Sequence, residues 1–389
     1  MTTNGSDYDV VVVGGGAVGL AAAWNAARRG RSVLVLEQYE LFTQRGSSGG
    51  AERQWRLQYS EEDLARLTLE AQPLWRELEE AGGRRLVHHT GSLWFGDTTE
   101  ATNEGMISDA AKVLERIGVT HEWLTAREIQ DRFPFAALPD HYEGFYQPDG
   151  GIADVKGTLW LLHEQARLAG VTVLEHAKVE EIAPDADGVT VRSGRGVHRG
   201  QHVIIAAGPF AKPLLAPLGI ELDVHLFQMT SASFRLRDPG LDLPTWFAFQ
   251  KPTEEDTNLF YGFGRNPWSG SDVVRAGPDF EDHVVEDPYL ADNAAVPRHL
   301  ERLTEWVGAH MPALDPEPEL AGSFLAALPA DPERQFYLGH APAHVPNAER
   351  LVIFSTGWGF KFVPLLGRAC AELALDGRTG FDLGRFGLV

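Results

Sequence analysis

Three glycines near the start of the chain have the spacing of a phosphate-binding turn. Gly14, Gly16 and Gly19 follow one apolar run, and Glu37 ends the next apolar run after an alanine-rich stretch. The first glycine permits a tight turn, the second lets the backbone approach a pyrophosphate, and the third lets a helix pack closely on the sheet. Glu37 can accept hydrogen bonds from ribose hydroxyls and would repel a 2′-phosphate. The pattern predicts a βαβ unit that binds a dinucleotide, with NADP disfavoured; the alternative is an ordinary turn without a ligand.

Two later segments could complete such a site. The apolar run 203–205 ends in Ala-Ala-Gly at 206–208, and small residues at the end of a central strand leave room for a cofactor. Near the C-terminus, Gly-Trp-Gly at 357–359 separates an apolar run from a stretch with helical spacing. A second helix N-terminus can therefore point its partial positive charge at the same ligand.

Composition narrows the classes of function. The chain has 389 residues, of which 43% are hydrophobic, and its net charge is −21. This length favours two domains. An acidic surface disfavours binding to nucleic acid or to an anionic membrane, and an anionic substrate would need a local basic pocket. The sequence has no run of 18 apolar residues and no secretory leader pattern, so we expect neither a membrane span nor export.

Cysteine and histidine usage argues against metal sites. The only cysteine, Cys370, lies in an apolar stretch with helical spacing and is expected to be a buried thiol. One cysteine allows no disulfide within the chain, which fits the reducing cytoplasm. His88 and His89 lie on a predicted strand, where neighbours point to opposite faces and cannot share an ion.

The Gly-x-Ser-x-Gly pattern at 46–50 lacks the preceding apolar strand that a serine hydrolase requires.

Apolar periodicity predicts an α/β chain with two domains. Helical spacing occurs at 61–80, 106–117, 126–133, 156–169, 298–310 and 361–376, with strand-like runs between these segments. We expect a discontinuous, Rossmann-like nucleotide-binding domain formed by residues 1–85, 145–220 and 321–389. We expect a substrate domain with an antiparallel sheet to cap it, formed by residues 86–144 and 221–320.

Four segments occur in the order found in one known enzyme family. They are the glycine turn with its acid, Gly46-Ser47-Ser48-Gly49-Gly50-Ala51-Glu52-Arg53, Tyr261-Gly262-Phe263 and Gly357-Trp358-Gly359-Phe360-Lys361-Phe362. With these segments the chain resembles the monomeric sarcosine oxidase and N-methyl-tryptophan oxidase family, which are FAD-dependent amine oxidases of the D-amino-acid oxidase superfamily. The resemblance covers nearly the whole chain. Its most specific parts are the Arg-x-x-Arg that follows the Gly-Ser loop and the Gly-Phe-Lys-Phe block.

The resemblance assigns roles by position. Arg53 resembles the arginine beside the flavin, and Tyr261 resembles the active-site tyrosine. Arg56 and Lys361 resemble the two cations that bind the substrate carboxylate, for which arginine offers a planar fork and lysine a point charge. Taken alone, Arg56 is more simply an ordinary solvated or salt-bridged arginine, and Tyr261 is equally a pocket wall or plain core. A lysine at a helix N-terminus is electrostatically unfavourable, which supports a role for Lys361. The positions expected to contact FAD are Gly14, Gly16, Ala17, Val18, Gly19, Glu37, Gln38, Ser47, Arg53, Val179, Ala207, Gly208, Gly357, Gly359, Phe360 and Lys361.

Several positions depart from the family pattern. The cysteine that attaches FAD covalently in the family would fall near Leu325, so we expect non-covalent FAD. Arg275 stands where the family has the lysine that activates oxygen, and its alternative is a surface arginine at a strand end. Asp279 and Trp358 stand where the family has histidines, and Ser48-Gly49 replaces a histidine pair. The residues expected around the cofactor are kept and those around the substrate are altered, so we do not expect sarcosine as the substrate.

The resemblance implies oxidation of the C–N bond of a secondary, cyclic or N-methyl amino acid, or a related amine, to an imine. The flavin takes a hydride from the carbon next to nitrogen, the amine is neutral, and the carboxylate is held in place. O2 is the expected acceptor, giving H2O2. Trp55 and Trp358 are candidates for an aromatic pocket wall, although tryptophans in such positions are more often core residues. Three alternatives remain: a flavin dehydrogenase with another acceptor, an FAD-dependent aromatic hydroxylase, and a catalytically silent FAD-binding protein. The expected protein is a cytoplasmic monomer or homodimer whose partner is a small amine or amino acid.

Overall fold

The computed structural model describes residues 7–331, 334–355 and 357–388. The helices of this part of the chain are α1 (Ala17–Ala27), α2 (Glu62–Gly82), α3 (Ile107–Arg116), α4 (Ala126–Arg132), α5 (Val155–Leu168), α6 (Ala211–Leu215), α7 (Pro297–His310) and α8 (Val363–Asp376). The strands are β1 (Asp7–Val13), β2 (Val33–Leu36), β3 (Glu52–Trp55), β4 (Val87–His88), β5 (Ser92–Gly96), β6 (Glu122–Thr125), β7 (Glu143–Gln147), β8 (Gly151–Asp154), β9 (Thr172–Leu174), β10 (Val179–Asp185), β11 (Gly188–Ser193), β12 (Gly196–Ile205), β13 (Val224–Arg235), β14 (Thr245–Phe249), β15 (Phe260–Gly262), β16 (Val273–Pro278), β17 (Leu320–Pro329), β18 (Tyr337–His340) and β19 (Leu351–Ser355).

The first sheet is built around parallel strands. β1 lies between β2 and β12, and β9 and β19 continue the parallel sheet at either side. The antiparallel strands β10 and β11 extend from one half of β12, and β18 pairs with β19. Apolar strands such as β1 and β2 need cover on both faces. Helices α1, α5 and α8 provide it on one face, and β10, β11 and α6 provide it on the other.

The predicted βαβ unit is confirmed. β1 runs into the glycine turn, α1 starts at Ala17, and β2 ends one residue before Glu37. Every residue of α1 is buried, because its alanine-rich sides pack against both α5 and α8. The close packing depends on Gly19, where a Cβ would overlap the carbonyl oxygen of Gly14.

The second sheet has the order β17-β13-β16-β15-β14-β5-β7-β6 and is antiparallel except between β14 and β5. Large aromatic side chains fill the space between this sheet and α7. Trp306 of α7 stacks on Trp246 with ring centroids 5.0 Å apart and on Phe260 at 5.2 Å. This packing fixes α7 against one face of the second sheet.

Two strands of the second sheet cross the expected domain boundaries. β17 pairs along its whole length with β13, and β7 pairs with β5. The expected limits at residues 145 and 321 placed most of both strands with the nucleotide-binding part. Their backbone hydrogen bonds place them in the second sheet instead, because pairing of distant segments decides sheet membership. The division into two domains remains our proposal, with β7 and β17 moved to the second.

A small third sheet begins directly after the Gly-Ser loop. β3 pairs antiparallel with β8, and β4 pairs with the same strand. β3 follows the Gly-Ser loop directly, so Arg53 lies on it and Arg56 lies just after its last residue. The short sheet therefore fixes the direction in which these two arginines leave the loop.

Candidate active site

Two connected cavities lie between the sheets. The larger is a cleft with about 1180 Å³ of open space, lined by the glycine turn, by Glu37 and by the ends of the parallel strands. The smaller has about 590 Å³ and is lined by charged and aromatic side chains. Gly357 and Phe360 line both cavities. A ligand that fills the larger cleft therefore reaches the smaller cavity at this point.

The glycine turn leaves room for a ligand where side chains would not. Gly14 has φ +108°, a conformation that residues with a Cβ rarely adopt, and a Cβ there would overlap the carbonyl of Ala206. The amide of Ala17, at the first turn of α1, is capped by the hydroxyl of Ser48 at 3.1 Å. The helix N-terminus thus faces the cleft with its partial positive charge, which suits a pyrophosphate.

Glu37 is fixed at the rim of this turn. Its Oε2 accepts from the amide of Gly15 at 2.7 Å, and its Oε1 accepts from the amide of Tyr39 at 2.9 Å. Burial raises the pKa of Glu37, while the amide hydrogen bonds oppose that rise. A carboxylate oxygen accepts more than one hydrogen bond, so Glu37 retains capacity for ribose hydroxyls. Together with the open turn, this geometry fits the ADP half of FAD.

Most of the positions expected at FAD line this cleft. They are Gly14, Gly16, Ala17, Val18, Glu37, Gln38, Ser47, Val179, Ala207, Gly208, Gly357, Gly359 and Phe360. Gly19 lies beneath the turn and serves helix packing, while Arg53 and Lys361 line the smaller cavity. The hydroxyl of Ser47 donates to the carbonyl of Leu325 at 2.8 Å, so the serine whose hydroxyl meets α1 is the neighbouring Ser48. The Gly-Ser loop indicates the segment, but nothing in its sequence distinguishes the two hydroxyls.

Arg53 organises the loop that separates the cavities. Its guanidinium donates to the carbonyls of Ser47, Gly49 and Glu52 at 2.7, 2.8 and 2.8 Å. Burial, with the nearby charge of Arg275, lowers the pKa of Arg53 to about 10. The side chain therefore remains a cation at neutral pH and holds positive charge at the junction with the FAD cleft.

Arg56 lies inside the smaller cavity and is 3% exposed. It forms an ion pair with Glu104 and sits over the ring of Phe247, 5.1 Å from its centroid. Burial lowers its pKa, but the pairing with Glu104 outweighs burial and the net shift is upward. Nε and Nη1 of Arg56 have no hydrogen-bond partner among the described residues. These donors are available to an anion in the cavity. Of the alternative interpretation of Arg56 as a solvated or salt-bridged arginine, the structure shows the ion pair but not the solvated position.

Lys361 lies in the same cavity, at the turn Phe360–Phe362 that precedes α8. It is 7% exposed, and its Nζ donates to the carbonyl of Trp358 at 3.3 Å. Burial, together with the charge of Arg56, lowers the pKa of Lys361 to about 7. Among the described residues Lys361 pairs with no carboxylate. A buried lysine without such a partner is costly to keep charged, and an anionic ligand would relieve that cost.

Tyr261 and Arg275 line the same cavity. Tyr261 lies on β15, is buried, and has its pKa raised by burial. Arg275 is paired with Glu52, whose side chain is almost fully buried, and also donates to the Glu52 carbonyl at 2.9 Å. Burial lowers the pKa of Arg275, but the nearby Glu52 carboxylate raises that pKa by more. The net shift is upward, so the pair is ionised. Arg275 is therefore not a surface arginine, although its charge is largely neutralised by its partner.

Two carboxylates complete the cavity. Glu104 lies on the loop between β5 and α3, and Asp279 directly follows β16. Burial, reinforced by Glu104 and Glu281, raises the pKa of Asp279 well above its usual range. Its Oδ2 accepts a weak hydrogen bond from Asn103 at 3.4 Å, and Oδ1 has no partner among the described residues. Sequence reasoning placed Asp279 at a position where the family has histidine but missed Glu104, which belongs to no motif.

The aromatic residues divide between site and core. Trp358 lines the smaller cavity together with Phe247, Phe263 and Phe324. Trp55 is completely buried against Trp75, with ring centroids 6.4 Å apart, and does not line it. Of the two alternatives for Trp55, the hypothesis of a pocket wall is wrong and the core position is right, because this side chain points from β3 toward α2.

Other kinds of site find no support in the described residues. Cys370 is buried in α8, and burial raises its pKa. No group of three or more His, Cys, Asp or Glu side chains in the described ranges could hold a metal ion. Among those same ranges no helix combines the length and apolar character needed to cross a membrane.

Comparison with known proteins agrees with this geometry. The family model described as FAD dependent oxidoreductase matches residues 9–373. A solved structure of NikD, described as an unusual amino acid oxidase essential for nikkomycin biosynthesis, is 51% identical with a TM-score of 0.95 over 98% of each chain. A putative bifunctional amine oxidase from Dictyostelium discoideum is 33% identical over 98% of this chain, which spans only 37% of that longer protein. Monomeric sarcosine oxidase from a Bacillus species is 25% identical over 98% of this chain and 96% of the relative.

These matches confirm the resemblance to the sarcosine oxidase group and the cofactor expected from the glycine turn. They extend over both sheets rather than over the nucleotide-binding unit alone. The chain therefore belongs to the FAD-dependent oxidoreductase family, and it is an enzyme of the amine and amino-acid oxidase type.

Proposed function

We propose that this enzyme oxidises the C–N bond of an amino acid to an imine, and that its substrate is a secondary, cyclic or N-methyl amino acid. The observation that carries the proposal is the charge of the smaller cavity. Four cationic side chains line it against two carboxylates, and the six are Arg53, Arg56, Arg275, Lys361, Glu104 and Asp279. In a protein of net charge −21, such a local excess of positive charge favours an anionic ligand.

The substrate carboxylate would be bound by Arg56 and Lys361. Arg56 has unused donors on Nε and Nη1, and Lys361 pairs with no carboxylate among the described residues. A carboxylate between them would accept charge-assisted hydrogen bonds from both, which are stronger than neutral ones. The aromatic side chains of Phe247, Phe263 and Trp358 would enclose an apolar ring.

The substrate nitrogen would face the carboxylates. A neutral amine is required for transfer, so the proton of an incoming ammonium must be taken up. Asp279 Oδ1 is unpartnered among the described residues, and the raised pKa of this carboxyl makes it a better base than an ordinary aspartate. FAD in the adjoining cleft would supply the two-electron acceptor chemistry. The protein's part is to hold the carboxylate, the ring and the nitrogen in a single orientation.

The names of similar proteins support an amino-acid substrate. The similar structure of NikD is described as an amino acid oxidase, and the similar bacterial enzyme is named for sarcosine, an N-methyl amino acid. The altered positions Asp279 and Trp358 argue for a ring-bearing substrate rather than sarcosine. We propose O2 as the acceptor, on the basis of the oxidases among these relatives.

A second candidate is a dehydrogenase with another electron acceptor. The observation that favours it is the ion pair between Arg275 and Glu52. Arg275 stands where the family has the oxygen-activating lysine, and its partner cancels most of its charge. Positive charge near the cofactor stabilises developing superoxide, so its loss would slow the reaction with O2.

An anaerobic substrate screen tests the proposed function. The purified holoenzyme is mixed with N-methyl, cyclic and D-amino acids under nitrogen, and loss of the flavin absorbance is followed. We expect bleaching by at least one cyclic or N-methyl amino acid, followed by rapid recovery and H2O2 formation when air is admitted. Slow recovery in air would favour the dehydrogenase. Bleaching by NADH or NADPH and by no amino acid would contradict the proposal and favour a hydroxylase.

A further inference from the structure

The segment between β16 and α7 crosses from the second sheet to the FAD cleft. It is attached to β13 at two places. The amide of Val285 donates to the Leu226 carbonyl at 2.8 Å, and Nε2 of Gln228 donates to the Ala294 carbonyl at 2.8 Å. The residues between these attachments therefore form a loop whose two ends are fixed.

Tyr289 lies at the tip of this loop and lines the FAD cleft. A tight turn holds its backbone, since Oδ1 of Asp287 accepts from the Tyr289 amide at 2.9 Å and the Asp287 carbonyl accepts from Leu290 at 3.1 Å. The Tyr289 ring contacts Phe210, with centroids 5.0 Å apart, and Nζ of Lys178 lies 3.8 Å from the ring centroid. The tip of a second-sheet segment is thus docked on residues that belong to the first sheet's side.

The order of residues along the cleft shows which end Tyr289 covers. The glycine turn and the N-terminus of α1 mark the pyrophosphate, and Gly357 and Phe360 mark the end that opens into the substrate cavity. Glu37 marks the ribose on the other side of the turn. Tyr39, whose amide donates to Glu37, has its ring centroid 5.7 Å from that of Phe210, and Phe210 in turn contacts Tyr289. All three aromatic residues line the cleft, so Tyr289 lies on its Glu37 side. In a dinucleotide the group beyond this ribose is the adenine.

We propose that Tyr289 and Phe210 form an aromatic clasp on the adenine end of FAD, with Lys178 holding Tyr289 in place. Aromatic side chains stack on nucleobases because both present π faces. A cation over the ring of Tyr289 is attracted to that ring and so helps to hold it in position. Tyr289 is 37% exposed, so its ring is not committed to the protein core and has surface left to cover a ligand.

The clasp bears on how the cofactor is retained. The only thiol of the chain, Cys370, is buried in α8 and lines neither cavity. With no cysteine at the cleft, we expect FAD to be held by non-covalent contacts, and contacts at the adenine end act on retention without touching the reacting end. The inference concerns the cofactor alone and does not depend on which amine the enzyme oxidises.

The test measures FAD release from the holoenzyme. Holoenzyme is diluted into flavin-free buffer. The rise in fluorescence of free FAD with time gives the dissociation rate constant. We expect Tyr289→Ser to raise this constant about tenfold, the size of one base–aromatic stack. Tyr289→Phe keeps the ring and should stay within about twofold of the parent enzyme. Lys178→Gln should give a smaller increase.

A matched control separates the clasp from a general effect of removing an exposed aromatic. Trp123 is 40% exposed on β6, at the far edge of the second sheet, and Trp123→Ser should leave FAD release unchanged. If Tyr289→Ser does not fold, Tyr289→Leu preserves apolar bulk without the ring and should still release FAD faster. Equal release rates for the parent enzyme and the folded Ser or Leu variant would overturn the proposal. So would a Tyr289→Phe variant that loses FAD as fast as Tyr289→Ser.

Discussion

Arg56 and Glu104 form an ion pair inside the proposed substrate cavity, and their side chains are only 3% and 12% exposed. The pair brings together residues 48 positions apart in sequence. Glu104 therefore already accepts a hydrogen bond from Nη2 of the guanidinium that we assign to the substrate carboxylate. The two anions, one from the protein and one from the substrate, share the same cation.

Because the two anions share Arg56, substitutions at Arg56 and at Glu104 should have opposite effects on inhibitor binding. The inhibitor is an aromatic carboxylate that lacks an amine. Arg56→Met should weaken binding about 10- to 100-fold, because a hydrogen bond to a charged group contributes about 1.5–3 kcal/mol. Glu104→Gln should tighten it, because a competing anion is removed. Titration of the flavin spectrum with the inhibitor measures both. Weaker binding in the Glu104→Gln variant would contradict the competition.

Lys361 predicts a pH dependence for the same ligand. Its pKa is lowered by burial to about 7, so the side chain is a cation below that pH and neutral above it. Because a carboxylate binds the cationic form, affinity should be highest below pH 7 and fall up to about tenfold per unit above it. Lys361→Met should bind more weakly and lose this slope. An unchanged slope in that variant would assign the titration to another group.

Arg275 and Glu52 predict a stability effect. Removing one partner of a buried ion pair leaves an uncompensated charge, so Arg275→Met should lower the free energy of unfolding by about 3–5 kcal/mol. The double variant Arg275→Met/Glu52→Gln should recover most of this loss. Arg192→Met serves as the control, because Arg192 is 50% exposed and its ion pairs should contribute less than about 1 kcal/mol. Denaturant unfolding of the four proteins measures the difference, and a single variant as stable as the double would refute the argument.

The mode of FAD attachment has a direct test. Because the position expected for the family's cysteine is Leu325 and the only thiol is buried in α8, acid precipitation should release all flavin into the supernatant. An absorbance spectrum of supernatant and pellet measures the distribution. Flavin that stays with the pellet would show covalent attachment through another side chain.

The part of the fold that binds FAD was predictable because local chemistry determines it. The glycine turn, the apolar helix that follows it and the acid at the end of β2 are each set by contacts within the first 37 residues or by backbone conformation. The residue types at these positions therefore predict them directly. β17 was assigned to the other domain because its run of small residues carries little strand signal, and its partner β13 lies almost a hundred residues away. Pairing of that kind is decided by the whole fold.

The candidate site was predictable where a motif or the family resemblance marked it. Arg56 and Lys361 were assigned on that basis, and the fold places both in one cavity. Glu104 was missed because it lies in an irregular loop and meets Arg56 only through the tertiary structure. The sequence left Trp55 open between pocket wall and core, because a tryptophan beside site residues can point either way, and the pleat of β3 directs this one into the core.

The central claim is that the cavity selects an amine that carries a carboxylate. The most direct test compares a cyclic secondary amino acid that bleaches the flavin with the same ring lacking its carboxylate, both under anaerobic conditions. We expect rapid bleaching by the amino acid and bleaching by the bare amine that is slower by 100-fold or more, roughly the combined loss of two charged contacts. Equal bleaching rates would show that Arg56 and Lys361 do not bind the substrate carboxylate, and the account of the site would be wrong.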